Sequence, residues 1–225
     1  GGMVFVPQTT IGVDVNFHDL TTQFDAVFLG IGATRSNQAH IVGENGHNVF
    51  SAMDFLTAMQ SKLFGEMHDE KYNVKGKKVV VIGGGDTAMD CLRTSIREGA
   101  TSVQCLYRRD AKNMPGSKKE FKNADEEGAE FLFNVAPVSI KTDSNNNVSG
   151  IRLIKTALSE KDSNGRQKVI DVAGSEFDIE ADVVIMALGF SPEAPSFLQE
   201  NGINLTPWGG IIVDADYQTT CKGVF

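Results

Sequence analysis

Cysteine is scarce in this chain: Cys91, Cys105 and Cys221 are the three in 225 residues. An odd number at wide spacing argues against a disulfide framework, and no pair has the C-x-x-C spacing of a zinc or iron–sulfur site. All three read as free thiols, the state of a reducing compartment, so the expected location is cytoplasmic. Histidine is equally sparse. His18, His40, His47 and His68 show no metal-ligand spacing and read as surface or loop residues. No apolar run approaches the ~20 residues of a membrane helix, and no basic-then-apolar start marks a signal peptide. Positive charge is in deficit, with 21 Lys and Arg against 29 Asp and Glu and a net charge of −8. That argues against nucleic acid as a partner, because phosphate backbones need clustered cations. An anionic nucleotide needs only a local basic patch.

Glycine, by contrast, is plentiful at 23 residues, which implies tight turns and close backbone approaches. The hydrophobic share of 41% with 22% charged residues is the balance of a globular domain. The strongest local signal is Val79-Val80-Val81-Ile82, a continuous apolar run of the kind a buried parallel strand requires. Gly83-Gly84-Gly85 ends it. Asp86 then opens a helix whose inner face is Ala88, Cys91, Leu92, Ser95 and Ile96, a helical period stopped by Gly99. A second strand, Val103 to Tyr107, completes a β-α-β unit.

Other elements follow from pattern. Ser51 reads as an N-cap before a helix burying Phe55, Leu56, Met59 and Leu63. Ala26-Val27-Phe28-Leu29 reads as a buried strand ended by Gly30-Ile31-Gly32. Lys118 to Glu127 is a charged helix, and Glu130 to Val135 a third strand. Pro137–Thr142, Val148–Leu158 and Lys168–Phe177 alternate with Asn- and Gly-rich turns (residues 143–147 and 162–165), which is hairpin chemistry and predicts an antiparallel meander. Asp182 to Ala187 is another buried strand. In the tail, Gly210 to Val213 is a short strand, and Trp208 beside Gly209-Gly210 reads as a turn with an aromatic anchor. The expected fold is α/β: a Rossmann-like parallel sheet with helices and an inserted antiparallel β-meander, of the FAD/NAD(P)-binding kind.

Gly83-x-Gly85-x-x-Ala88 fits the dinucleotide fingerprint G-x-G-x-x-G/A. Gly83 permits the turn out of the strand. Gly85 lets a pyrophosphate approach the backbone. Ala88 lets the helix pack close, and the helix N-terminus presents N–H groups to the anion. The end of the second strand selects the cofactor. A carboxylate there would accept from the ribose 2′-hydroxyl of NAD, whereas a 2′-phosphate needs cations. Arg108-Arg109 favours NADP(H), since guanidinium forks suit phosphate. Asp110 keeps NAD open, because a shift of one or two residues would place its carboxylate there. Lys118 and Lys119 read as a solvated helix face. Gly30-x-Gly32 also follows a strand, but Arg35 stands where a small residue is needed, so it reads as a plain turn.

Two segments, Phe24 to Ala33 and Ala181 to Phe190, share one pattern: an acidic residue, a strand and a glycine turn. That pairing resembles the two-dinucleotide-binding flavoproteins, in which such strands mark crossings between an FAD domain and an inserted NAD(P) domain. Gly83 to Cys91, Tyr107-Arg108-Arg109, Asn113 to Ser117 and Glu126-Glu127-Gly128 resemble the small (β) subunit family of NADPH-dependent glutamate synthase. They are also similar to its relatives in dihydropyrimidine dehydrogenase and NADPH:ferredoxin-type oxidoreductases.

The resemblance implies hydride passing from NADPH to FAD, and electrons leaving through iron–sulfur clusters to a glutamate synthase large subunit or another acceptor. It implies pyrophosphate contacts from Gly84, Gly85, Asp86 and Thr87, 2′-phosphate contacts from Arg108 and Arg109, and Ala187, Leu188 and Gly189 near the nicotinamide half. It divides the chain into an FAD-domain remnant with a connecting helix (1–70), an NADP(H)-binding domain (71–190) and an FAD-domain return segment (191–225).

Two parts of the family pattern are missing: an FAD fingerprint before the NADP domain and a Cys-rich cluster region. The expectation is that these residues alone do not bind FAD tightly, hold a cluster or turn over. Two rivals are a self-contained NAD(P) dehydrogenase, for which Tyr72, Tyr107 and Tyr217 supply no Tyr-x-x-x-Lys, and a non-catalytic nucleotide-binding module.

Overall fold

The computed structural model describes residues 2–161, 165 and 167–225. The chain divides into two compact units, one made of Gly1–Arg35 with Phe190–Phe225 and the other of Ser36–Gly189. The elements in chain order are α1 (Phe17–Gln23), β1 (Arg35–Ser36), β2 (Val49–Ser51), α2 (Ala52–Leu63), β3 (Lys78–Ile82), α3 (Asp86–Arg97), β4 (Ser102–Tyr107), α4 (Lys118–Glu126), β5 (Glu130–Phe133), β6 (Val135–Thr142), β7 (Val148–Leu158), β8 (Val169–Asp171), β9 (Phe177–Ile179), β10 (Val183–Met186), β11 (Phe190–Ser191) and α5 (Ser196–Glu200).

The larger unit is built on a five-stranded sheet in the order β2-β10-β3-β4-β5, with every pairing parallel. Side chains alternate across a strand, and the apolar runs of β3 and β10 therefore supply two cores. Val79, Val81, Val103, Cys105, Val183 and Ile185 face the helices, against Phe55, Met59, Met89 and Leu92. Val80, Ile82, Leu106, Val184 and Met186 face the other way, against Val135, Ile140, Ile151 and Leu153 of the antiparallel strands. That second layer pairs β6 with β7, and β7 with both β8 and β9. A sheet buried on both faces accounts for the nearly unbroken apolar strands.

Several expectations change here. The segment from Ser36 to residue 70, grouped with the flanking remnant, belongs to the larger unit, because β2 pairs with β10 through Val49↔Val184 and Phe50↔Ile185. Ser51 caps α2 as expected, accepting from the Asp54 N–H at 3.1 Å. Leu63 is 77% exposed rather than buried, because it stands in the last turn, past the face that covers the sheet. The third meander segment is two short strands, β8 and β9, separated by a turn.

In the smaller unit, Phe17 stacks on Phe197 at 5.1 Å and joins Leu198, Ile203 and Val224 in a compact core. Asn16 caps α1 by accepting from the His18 N–H. The expected buried strand at 26–29 is a single parallel bridge, Val27↔Val224, extended by the Leu29 N–H donating to Phe225 O at 2.6 Å. Its Phe28 is 82% exposed. Gly210–Val213 forms isolated bridges only, and Trp208 is exposed rather than an anchor.

Candidate functional site

The carboxyl ends of β10, β3 and β4 lie side by side, and the glycine turn leaves the middle one. This is where α/β sheets bind ligands: the strand ends point outward, and the following helix begins there. Gly83 has φ +144°, a conformation that costs a residue with a side chain, and a Cβ built on it would collide with the Ala187 carbonyl oxygen. Gly84 faces Tyr107, whose ring Cδ2 would sit 2.6 Å from an added Cβ. Gly85 differs from both, since nothing lies within 4 Å of its Cβ position. It is the N-cap of α3 and offers no side-chain acceptor, so the N–H groups of Asp86 and Thr87 stay open, while that of Ala88 donates to Gly85 O at 2.9 Å. The three glycines therefore have separate tasks: two allow close packing of the turn, and the third leaves an empty cradle over a helix N-terminus.

A loop closes over one side of this turn. The Gly116 N–H donates to Gly84 O at 2.9 Å, and the Ser117 N–H donates to Asp86 Oδ1 at 2.6 Å. The Asp86 carboxylate is thus turned onto the loop, leaving its backbone N–H as the group that can meet an anion. The Tyr107 hydroxyl donates to Asn113 O at 2.6 Å, and the Cys105 thiol donates to Gly83 O at 3.1 Å from below. Burial pushes the Cys105 thiol up to about 12, so it stays protonated as a donor.

Arg108 and Arg109 follow β4 at the margin of the turn. They line an open cleft of about 970 Å³ together with Asn113, Lys161, Gln167 and Lys168. Among the described lining residues four are cations and none is a carboxylate, a local excess of positive charge on a chain of net −8. Asp110, which kept the NAD alternative open, is engaged in its own loop. Its Oδ1 accepts from the Asn113 N–H at 3.0 Å and from Asn113 Nδ2 at 2.8 Å. The side-chain hydrogen bond from Asn113 holds its carboxyl below the usual aspartate range. Asp110 does not line the cleft among the described residues. Lys161 and Lys168 were not singled out from the sequence; the meander fold alone brings them to Arg108.

On the opposite side of the turn are Ala187, Leu188 and Gly189. The Ala187 N–H donates to Ile82 O at 2.9 Å, continuing the β10–β3 ladder. The Asn37 N–H donates to Gly189 O at 3.0 Å, and Asn37 Nδ2 to Leu188 O at 3.3 Å. Gly189 takes φ +81° where the strand ends. The residues singled out from the sequence thus form one line: 187–189, the glycine turn, then Arg108-Arg109. Lys118 and Lys119 lie in the first turn of α4, outside that line. Among the described residues no group of His, Cys, Asp and Glu could hold a metal ion, and no helix is long and apolar enough to cross a membrane.

The pattern of one family, described as pyridine nucleotide-disulphide oxidoreductase, matches residues 7–225. The glutamate synthase [NADPH] small chain of Escherichia coli (strain K12) is 46% identical over 231 residues, covering 100% of this chain and 49% of that protein. A putative oxidoreductase of the same organism, UacF, is 48% identical, with 100% of this chain matched to 36% of its own length. This chain therefore spans about half or less of these relatives. Among solved structures, FprA of Mycobacterium tuberculosis in complex with NADPH superimposes with a TM-score of 0.71, covering 92% of this chain and 58% of that one at 18% identity. It shares the fold.

Proposed function

The chain belongs to the pyridine nucleotide-disulphide oxidoreductase family, and on that premise we propose that Ser36–Gly189 is the NADP(H)-binding unit of a flavin-dependent oxidoreductase. The observation that carries this reading is the cleft at the end of β4, which is cationic and free of carboxylates among its described residues. A 2′-phosphate is a dianion at neutral pH, and guanidinium groups meet it with paired donors.

The residues present fit such a ligand. Gly85 leaves room for a pyrophosphate against the α3 N-terminus. The Asp86 and Thr87 N–H groups would donate to it, and Gly84 keeps the turn low over Tyr107. Arg108 and Arg109 would bind and orient the 2′-phosphate end. Ala187, Leu188 and Gly189 would flank the nicotinamide half, where Asn37 fixes their backbone. When bound, NADPH supplies a hydride to a flavin, from which electrons pass onward. No acid or base of this chain is required for that transfer.

For the whole protein, the activity proposed is that of a glutamate synthase small subunit, with FAD, iron–sulfur clusters and a large subunit as electron acceptor. The 46% identity to that small chain supports it. A second reading, another NADPH-dependent reductase, is favoured by the 48% identity to UacF. Glutamate formation by the full-length protein with its large subunit separates them; NADPH oxidation with an artificial acceptor but no glutamate selects the second.

Calorimetric titration of the chain with NADPH and NADH tests the binding assignment. NADPH should bind more tightly, and Arg108→Ala with Arg109→Ala should erase the difference. NADH binding as tight as NADPH, or tighter, sinks the assignment.

A further inference from the structure

One wall of the Arg108 cleft comes from a distant part of the chain. β7 and β8 pair through Thr156↔Asp171, Ala157↔Ile170 and Leu158↔Val169. Just beyond, the Ser159 N–H donates to Lys168 O at 2.8 Å, the Lys168 N–H to Ser159 Oγ at 2.9 Å, and Gln167 Nε2 to Ser159 O at 2.9 Å. Three hydrogen bonds shared with one serine fix the Lys168 backbone and the Gln167 side chain.

The same hairpin is tied to the end of β4. The buried Thr156 hydroxyl donates to Arg108 O at 3.0 Å, and Arg109 donates from its guanidinium to Gln167 O at 3.2 Å. Arg109 is therefore partly engaged in holding the hairpin. Arg108 and Lys168 form no ion pair among the described residues, and both line the cleft. Like charges gathered with no carboxylate among the described lining residues repel, and a bound dianion removes that repulsion.

We propose that Lys168 is a specificity-determining residue: with Arg108 and Arg109 it reads the 2′-phosphate of an adenine nucleotide, and Arg109 also holds the hairpin beside it through its one hydrogen bond to Gln167 O. The inference rests on the NADP(H) reading of the cleft and deepens it. A lysine set on a fixed strand end acts as a point charge, and Arg108 adds the directional fork.

Calorimetry on the 225-residue chain with NADPH, NADH, 2′-AMP and 5′-AMP tests it. Lys168 is exposed, so Lys168→Gln and Lys168→Glu keep the fold, which unchanged thermal unfolding verifies. Lys168→Gln should weaken NADPH and 2′-AMP about five- to tenfold. NADH and 5′-AMP should stay within about twofold, because neither carries the phosphate. Lys168→Glu should weaken the first pair further, and the salt dependence of NADPH binding should become shallower in both variants. A purely structural role in the hairpin would weaken all four ligands together, and that result overturns the proposal. If Arg108→Ala erases the NADPH preference while both Lys168 variants keep the wild-type ratio, the lysine assignment fails and the cofactor assignment stands. If the unaltered chain shows no preference for NADPH, both fail.

Discussion

The Tyr107 ring lies directly against Gly84, with its Cδ2 2.6 Å from where a Cβ would stand, while its hydroxyl donates to Asn113 O at 2.6 Å. One side chain thus sets both the height of the glycine turn and the position of the loop that closes over it. Gly84→Ala should force the ring aside and cost about 1–3 kcal/mol of stability, with weaker NADPH binding. Tyr107→Leu should restore part of both losses by removing the ring. A double-mutant cycle by urea unfolding reads the coupling, and strict additivity would mean the contact carries no energy.

Gly83 and Gly85 should respond oppositely to one methyl group. Gly83→Ala meets the Ala187 carbonyl at a φ that L-residues avoid, so roughly 3 kcal/mol or more of stability should be lost. Gly85→Ala has open space and an ordinary φ of −87°. Its unfolding should hardly change, but NADPH binding should fall steeply because the methyl occupies the phosphate cradle. If Gly85→Ala binds like the unaltered chain, the cradle has been placed wrongly.

Asp110 should be irrelevant to cofactor choice. Its carboxylate is taken by Asn113, so Asp110→Ala should leave the NADPH-to-NADH ratio unchanged. Loss of NADH binding in that variant would show that the carboxylate reaches the ribose.

Acid should loosen the α3–α4 face through Glu127. Arg97 and then Arg93 hold its carboxyl below the ordinary glutamate value, with hydrogen bonds of 2.7 to 2.9 Å. A depressed folded pKa means the contribution is complete above the ordinary glutamate value and is lost as pH falls through the lowered one. Thermal unfolding followed across that window should drop less in Glu127→Gln, which lacks the titration. Parallel curves for the two proteins would remove Glu127 from the account.

Thiol reactivity should single out Cys221. Burial pushes the Cys91 and Cys105 thiols up, Cys105 to about 12, whereas Cys221 is half-buried. At pH 8 an aromatic disulfide reagent should modify one thiol quickly and the other two only on unfolding. Two or more fast thiols would contradict the packing under the glycine turn.

Much of this was legible in the residues. β3, α3 and β4 form between neighbours in the chain, so an apolar run, a glycine turn and a helical period suffice to locate them and the fingerprint. Part of the meander was legible for the same reason: the turn at 143–147 is local Asn-rich chemistry between β6 and β7, whereas the expected turn at 162–165 falls mostly outside the described residues. β2 was not, because Val49 to Ser51 carries too short a pattern, and its pairing with β10 joins segments more than a hundred residues apart.

The sequence by itself determined the fold class, the glycine turn and the pair of arginines, because each rests on contacts within a few residues. Only the tertiary structure decided three other matters. Asp110 is spent on a local cap; Asp86 turns its carboxylate onto Ser117; and the β7–β8 hairpin brings Lys168 to Arg108. Each depends on where a side chain points or on which distant segments meet. The hairpin is placed by the packing of the antiparallel layer on the parallel sheet, which no local spacing encodes; the two carboxylates are turned by the loop between β4 and α4.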